Sequence, residues 1–339
     1  MRKSPKVSIL IPVYKAQEYI EECLCSVFEQ TYNNIEVILV DDASPDESIE
    51  IAKKVAIEHG CYDSMKIFRN KKNEGIAHTR NVLIEHASGD YIYFIDSDDF
   101  IVKNAIELFV SNAIKEDADI VRCNFYKYWN GSSMPIKRIL NKNHHDFLYQ
   151  CLSNISEMQS LWVLFIRKGL ISNYGLRFAE NINGCEDFLM TVKLFFYAKK
   201  IYDIDDPLYY YRIDNELSIT HQEFFFHTNV INAIEETDIF LKKKSIDQKY
   251  KDQLLRLKFI SKQPFLLNKT IRDIDKYIST FPESNKCYHQ FNYSWKQTFL
   301  FYLAEHKCLA LLKITSKLSD MISKHISFFF KSLLIVLTS

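Results

Sequence analysis

A chain of 339 residues holds one large domain or two ordinary ones, and 47% hydrophobic with 25% charged residues is enough to bury a sizeable core. Seven glycines and seven prolines argue against long disordered linkers. Lysine plus arginine and aspartate plus glutamate both total 43, so no global charge points to nucleic acid as a partner.

Val7 to Val13 reads as a buried strand ending at Pro12-Val13-Tyr14, and Gln17 to Gln30 follows with helical spacing, Ile20, Leu24 and Phe28 sharing a face with Cys23 and Val27. Ile35 to Val40 is the next buried strand and ends in Asp41-Asp42. Ser44-Pro45-Asp46-Glu47 has the form of a capping box, which predicts a helix starting there and closed by Gly60. Met65 to Phe68 is a short third strand, Asn70 to Gly75 a loop, and Ile76 to Ala87 a helix leading through Ser88-Gly89-Asp90 into a fourth strand. This βαβαβαβ order predicts a parallel sheet with right-handed crossovers, followed by a helix over Lys103 to Lys115 and a strand over Asp119 to Cys123.

The fourth strand carries the most pointed chemistry: Tyr91-Ile92-Tyr93-Phe94-Ile95 runs into Asp96-Ser97-Asp98-Asp99. Carboxylates crowded at the end of a buried strand repel one another unless a cation or a donor network compensates them. Mg²⁺ and Mn²⁺ prefer carboxylate oxygens and bridge them to phosphates, and open α/β sheets bind ligands at the carboxyl ends of their strands. A metal–diphosphate site is one reading of Asp96, Asp98 and Asp99, and an acidic turn is the other. Asp41 and Asp42 end a second strand at the same edge and are placed to accept hydrogen bonds from a base or ribose, or, in Asp42, to sit at a helix N-terminus. No Gly-x-Gly-x-x-Gly follows the first strand and no Gly-x-x-x-x-Gly-Lys-Ser/Thr occurs, so the sheet is not a dinucleotide or P-loop fold.

Val7 to Tyr14, Val40-Asp41-Asp42-Ala43-Ser44, Asn73-Glu74-Gly75, Thr79-Arg80-Asn81 and Asp96-Ser97-Asp98-Asp99 together resemble family 2 glycosyltransferases of the GT-A fold, in order, spacing and strand context, over roughly residues 5–125. Leu83 departs from the pattern, since the family often has Gly there, and this bears on helix packing and not on chemistry. A weaker resemblance to capsule and lipopolysaccharide transferases runs through Leu161 to Phe165, Gly175 to Phe178, Glu186-Asp187 and Pro207 to Arg212. The resemblance implies that Asp187 of the Glu186-Asp187 pair is the catalytic base. It implies a divalent metal, Mn²⁺ or Mg²⁺, at Asp98 with Asp96 or Asp99 assisting, and Asp42 or Asp41 reading the nucleobase. Pro12, Val13 and Tyr14 would line the nucleoside pocket, Arg80 would lie near the diphosphate or buttress the aspartates, and Arg212 would recognise phosphate. His221 either completes the metal shell or is an exposed loop histidine, and Trp162 either stacks on an acceptor sugar or belongs to the core.

The expected architecture is therefore an α/β GT-A-type domain over residues 1–222, with a mostly parallel central sheet flanked by helices, and a helical C-terminal region over 223–339. The expected activity is inverting, metal-dependent, non-processive transfer of a sugar from a UDP-linked donor to a glycan or lipid-linked glycan in cell-surface polysaccharide synthesis. Rival readings are a nucleotidyltransferase, which would want a glycine-rich basic loop where Pro12-Val13-Tyr14-Lys15-Ala16 stands, and a non-catalytic glycan- or partner-binding relic. A processive synthase would carry spanning helices and Gln-x-x-Arg-Trp; Gln253-Leu254-Leu255-Arg256-Leu257 lacks the Trp and reads as a helix face. The eight cysteines contain no Cys-x-x-Cys pair and sit mostly among apolar neighbours, so reduced buried thiols in a cytoplasmic protein are expected. No run of 18 uncharged apolar residues predicts a spanning helix. Near the end, Lys313, Lys317, Lys324 and Lys331 fall on one helical stripe beside Phe328-Phe329-Phe330 and Leu333 to Leu337. Such a helix either lies on the inner face of an anionic membrane or docks on its own domain or a second copy.

Overall fold

The computed structural model describes residues 4–137, 146–153, 160–215, 223–306, 308 and 310–314. The first half follows the periodicities of the sequence: β1 (Val7–Val13), α1 (Ile20–Phe28), β2 (Ile35–Asp41), α2 (Ser48–Glu58), β3 (Met65–Arg69), α3 (Ile76–His86) and β4 (Tyr91–Phe94). It continues with β5 (Phe100–Ile101), α4 (Ala105–Glu116), β6 (Ile120–Trp129), β7 (Ser132–Ile136), α5 (Phe147–Ser153), β8 (Leu164–Arg167), α6 (Lys168–Tyr174), α7 (Glu186–Tyr197) and β9 (Ile201–Arg212). The C-terminal region is helical as expected: α8 (Glu223–Lys243), α9 (Lys251–Lys262), α10 (Pro264–Leu267), α11 (Ile274–Ser279) and α12 (Trp295–Glu305).

The strands form one sheet in the order β3-β2-β1-β4-β8-β6-β9-β5, with β7 paired to β6. The β3-β2-β1-β4 half is parallel, as the βαβ order predicts. Beyond β4 the sheet is mixed: β8 runs antiparallel to β4 and β6, and β9 runs parallel to β6 and antiparallel to β5. Parallel strands are covered on both faces, and every residue of β1 is buried. Inside this layer Glu36 accepts from Lys6, Ser8 and Ser88. Burial opposes its charge, but these donors outweigh it and hold the carboxyl well below the usual carboxylate range.

The helix over residues 48–58 starts three residues later than the capping box predicts. Ser44 is diverted: its backbone N–H donates to Asp41, and its hydroxyl accepts from the Lys15 N–H and donates to Asp46. Asp46 also accepts from the Ser48 hydroxyl and N–H, and α2 begins after Glu47, whose side chain makes no cap bond. Leu83 is fully buried, so the position where a Gly is common is filled by core packing.

A first hydrophobic core lies around the sheet and receives Val230, Ala233, Ile234, Leu254 and Leu257 from α8 and α9. A second gathers Ile231, Phe259, Phe265, Tyr277, Phe301, Leu303 and Leu312. The proposed division after residue 222 thus assigns to the second unit two helices whose residues enter both cores. All eight cysteines are free thiols, five of them buried. Among the described residues no helix is long and apolar enough to cross a membrane.

Candidate active site

The chain passes from β1 to β2 to β3 on one side of β1 and then to β4 on the other, which makes the carboxyl edge beside β1 a topological switch point. Val13 pairs with Asp41 across β1 and β2, and the Ile95 N–H donates to the Leu10 carbonyl beyond β4. Pro12-Val13-Tyr14, Asp41-Asp42 and Asp96 to Asp99 therefore share one edge, with Pro12 and Val13 buried and Tyr14 exposed.

The two acid pairs at this edge differ in their partners. Asp42, 4% exposed, accepts from the Glu74 and Gly75 N–H groups at 2.8 and 2.9 Å and from the Asn70 amide at 2.8 Å. Asp41 accepts from the Ser44 N–H at 2.7 Å and pairs with Arg69 at 3.1 Å. Burial nonetheless raises the Asp41 carboxyl above its ordinary value. In this arrangement the Asp42 side chain braces the loop ahead of α3, and that of Asp41 ties the turn at Ser44 to the end of β3. Gly75, at φ 89°, is required there, because a Cβ would stand 2.4 Å from the Asn183 side chain.

After β4 the backbone turns at once, the Asp99 N–H donating to the Asp96 carbonyl. Asp99 is 1% exposed, and its oxygens accept from the Tyr209 hydroxyl at 2.6 Å and the Arg212 N–H at 2.7 Å. The Tyr209 hydroxyl in turn accepts from the Asp96 N–H. Burial and the neighbouring Asp98 and Asp96 charges push the Asp99 carboxyl well up. The expected role of Asp99 as a metal ligand finds no support in this geometry, since both oxygens are spoken for within the fold. Asp98 is partly exposed and accepts from the Asn215 amide at 2.7 Å. Burial, then the Asp96 charge, raises its carboxyl. Among the described residues no three His, Cys, Asp or Glu side chains converge as a ready metal cage.

Arg80 joins this cluster to the second half of the chain. Its guanidinium donates to Asp96 at 2.9 Å and to Glu186, while its Nε is buried without a partner. Burial disfavours its charge, but Glu186 and Asp96 outweigh that and hold it firmly protonated. Of the two expected places for Arg80, this is the buttress. Glu186 also accepts from the Gly184 N–H at 2.7 Å, in a tight approach where Gly184 and Cys185 both have positive φ. Asp187 is the next residue, on the first turn of α7, and its one hydrogen bond to a described residue comes from the Phe188 N–H. Burial and the adjacent Glu186 charge push its carboxyl up to about 7.

Arg212 is nearly enclosed. Its Nε donates to the Asp98 carbonyl, its Nη2 to Glu22, and it lies over the rings of Tyr128 and Tyr19 at 4.8 and 5.0 Å. The arginine expected at phosphate thus braces the acidic turn in this state. Trp162 belongs to the core: it is 4% exposed and stacked between Tyr209 and Tyr211 at 4.6 and 5.2 Å. The reading of Trp162 as an acceptor platform falls, because the ring is buried. His221 lies outside the described residues.

Three participants are not singled out by the sequence motifs. Asn215 stands 117 positions from its partner Asp98, and Tyr209 stands 110 from Asp99. Asn183 accepts from the Ala77 N–H at the start of α3, and its own N–H donates to Asn229 of α8. Tyr209 lies inside the Pro207 to Arg212 segment and was findable there; the two asparagines were not.

Strand order, carboxyl-edge acids and the acidic first turn of α7 define a GT-A-type fold. Residues 8–166 match the model described as glycosyl transferase family 2, so the chain carries a domain of that family. Over 244 residues it is 30% identical to the glycosyltransferase GlyA of Streptococcus pneumoniae, covering 68% of this chain and 34% of that protein. Over 225 residues it is 32% identical to the uncharacterized glycosyltransferase EpsJ of Bacillus subtilis, covering 64% and 63%. The chain therefore spans less than two thirds of either relative. The crystal structure of Staphylococcus aureus TarS 1-349 in complex with UDP-GlcNAc superposes with a TM-score of 0.69 over 93% of this chain and 92% of that one, at 20% identity.

Proposed function

We propose that this protein is an inverting, non-processive glycosyltransferase that moves one sugar from a nucleotide diphosphate donor to a hydroxyl of a glycan or lipid-linked glycan in cell-surface polysaccharide synthesis. The observation that carries the reading is Asp187, whose carboxyl stands near 7 beside an arginine shared with the Asp96 turn. At that value it is half ionised at neutral pH and suited to general-base work. The acceptor oxygen attacks the anomeric carbon while the bond to the diphosphate oxygen breaks on the opposite face. The hydroxyl proton goes to Asp187, and the diphosphate leaves with the bonding pair.

The donor set at Asp98 and Asp96 fits a hard divalent cation, because two crowded carboxylates carry a repulsion that a cation relieves. Mn²⁺ or Mg²⁺ held there supplies neutralisation of charge on the leaving diphosphate. Arg80 keeps Asp96 and Glu186 in register, so the base and the phosphate end of the site are set by one side chain. Pro12 to Tyr14 line the nucleoside side, and Asp42 offers any lone pair its three protein donors leave free. A UDP-linked donor is favoured by the likeness to TarS, whose crystal structure contains UDP-GlcNAc. The working location is the cytoplasmic membrane face, reached through the basic C-terminal segment, where a soluble donor meets a lipid-linked acceptor.

The test is UDP release by the purified chain from a panel of UDP-sugars, with Mn²⁺ and with excess EDTA. Release from one donor, abolished by EDTA and by Asp98→Ala, is expected. Full release in EDTA overturns the metal assignment, and binding of every donor with no release from any of them overturns the transferase reading.

A further inference from the structure

The first turn of α3 is capped from far away in the chain. Gly75, at its N-cap, has no side chain to offer, and the Ala77 N–H donates instead to the side-chain oxygen of Asn183 at 3.2 Å, 106 positions on. The bare Gly75 leaves the room that Asn183 occupies. One turn along α3 stands Arg80, which donates to Glu186, and Glu186 accepts from the Gly184 N–H. These contacts close a ring that runs from Asn183 through the first turn of α3, Arg80 and Glu186 and back through Gly184 to Asn183.

The ring contains the two residues whose backbone is least at ease. Gly184 and Cys185 have φ 103° and 88°, and Cys185 carries a side chain in a region that favours glycine. Such a conformation persists where its surroundings over-determine it. Asp187 follows at once on α7 and accepts from its neighbour, the Phe188 N–H. That contact turns with the helix, so the direction of the carboxyl is set by the backbone that delivers it. The ring also has a tie to the helical C-terminal region. The Asn183 N–H donates at 2.9 Å to the side chain of Asn229, which is buried on α8. Residues 183–187 are thus held from one side by α3 and from the other by α8.

We propose that Asn183 is a positioning residue for Asp187, and that Asn229 acts on the base through it, so that α8 helps to set where the base meets the acceptor hydroxyl. This rests on the reading of Asp187 as the base and deepens it. A displacement of about 1 Å at a reacting group costs on the order of 10²-fold in rate, so two amides far from the chemistry have leverage on turnover.

The test uses the full chain and the UDP-sugar that it turns over, at about pH 8.5, where Asp187 is ionised. Release of UDP gives kcat and KM, titration with UDP gives its dissociation constant, and thermal melting checks the fold. Asn183→Ala and Asn229→Ala should each lower kcat at least about tenfold while the UDP dissociation constant stays within about threefold. Asn183→Asp keeps an oxygen for the Ala77 N–H and should bring kcat back to within about threefold of the natural chain. A merely structural pair would lower the melting temperature and leave kcat of the folded protein as it was. Should Asn183→Ala fail to fold, Asn229→Ala decides by the same measure, with Asn229→Asp as its rescue. Natural kcat in either folded alanine variant, or a loss that the aspartate variant does not recover, overturns the proposal. Asp187→Asn alongside shows which reading has failed. If it is as active as the natural chain, the base assignment falls and this inference with it; if it is inactive while an alanine variant keeps the natural kcat, this inference falls alone.

Discussion

Asp41-Asp42 and Asp96 to Asp99 look alike in the sequence, each an acid cluster ending a buried strand. In the fold they are opposites. Asp42 receives three hydrogen bonds from one loop, two of them from backbone N–H groups that cannot leave. Among the described residues Asp98 receives one from another residue, the Asn215 amide, and its carboxyl is raised by burial and by Asp96. Across Arg80, Asp187 is in the same condition. An acid whose charge the fold has fully met holds structure together; an acid whose charge is left over is available to a cation or a proton.

The comparison is sharpened first at Asp187. Asp187→Asn should keep donor binding and lower turnover by about 10²–10⁴-fold. Glu186→Gln should cost less, because Glu186 acts through Arg80 and the Gly184 N–H. An inactive Glu186→Gln with an active Asp187→Asn would exchange the two roles. Next comes Asp98→Asn, which should remove the metal-dependent part of donor affinity, measured by titration with and without Mn²⁺, while leaving thermal stability unchanged or higher. Asp42→Asn should do the reverse, lowering stability by about 1–3 kcal/mol because three donors lose a charged acceptor. Denaturant midpoints of the two variants side by side would break the contrast if they moved in the same direction.

A further effect is in the pH dependence of stability. A carboxyl raised to about 7 in the fold, against about 3.9 in the unfolded chain, binds its proton more tightly when folded. Its penalty is absent below the unfolded value, grows as pH rises between the two, and is complete above about 7. Asp187→Asn should therefore raise Tm most above neutrality, with the gain fading toward pH 4. A gain independent of pH would count against the assignment.

How far the sequence could be read follows from the range of its signals. β1, β2 and β4 are short, mostly apolar runs, and local pattern finds them. The mixed half of the sheet is set by pairings far apart in the chain, such as Tyr93 with Phe165 and Asn124 with Pro207, and no local pattern carries these. Ser44 does not cap α2 as its pattern predicts, because its N–H donates to Asp41 and its hydroxyl accepts from the Lys15 N–H, 29 residues away in the chain. The site was legible in kind: Asp96, Asp98, Asp187 and Arg80 do come together at one edge. What stayed hidden was which acids the fold satisfies. That depends on donors at positions 74, 75, 209 and 215, and residue type gives no warning of them. Trp162 shows the same limit, its stacking partners being Tyr209 and Tyr211.

The most direct test of the account is the pH–rate profile of UDP release at saturating donor, for the natural chain and for Glu186→Gln. The account predicts a rate that rises through a limb near pH 7 as Asp187 loses its proton, then levels off. Removing the Glu186 charge takes away a cause of the raised value and frees Arg80 to favour the ionised form, so the limb in Glu186→Gln should move to lower pH. A profile with no limb between pH 5 and 8, or a limb that Glu186→Gln leaves in place, would contradict the claim that an under-compensated Asp187 is the base.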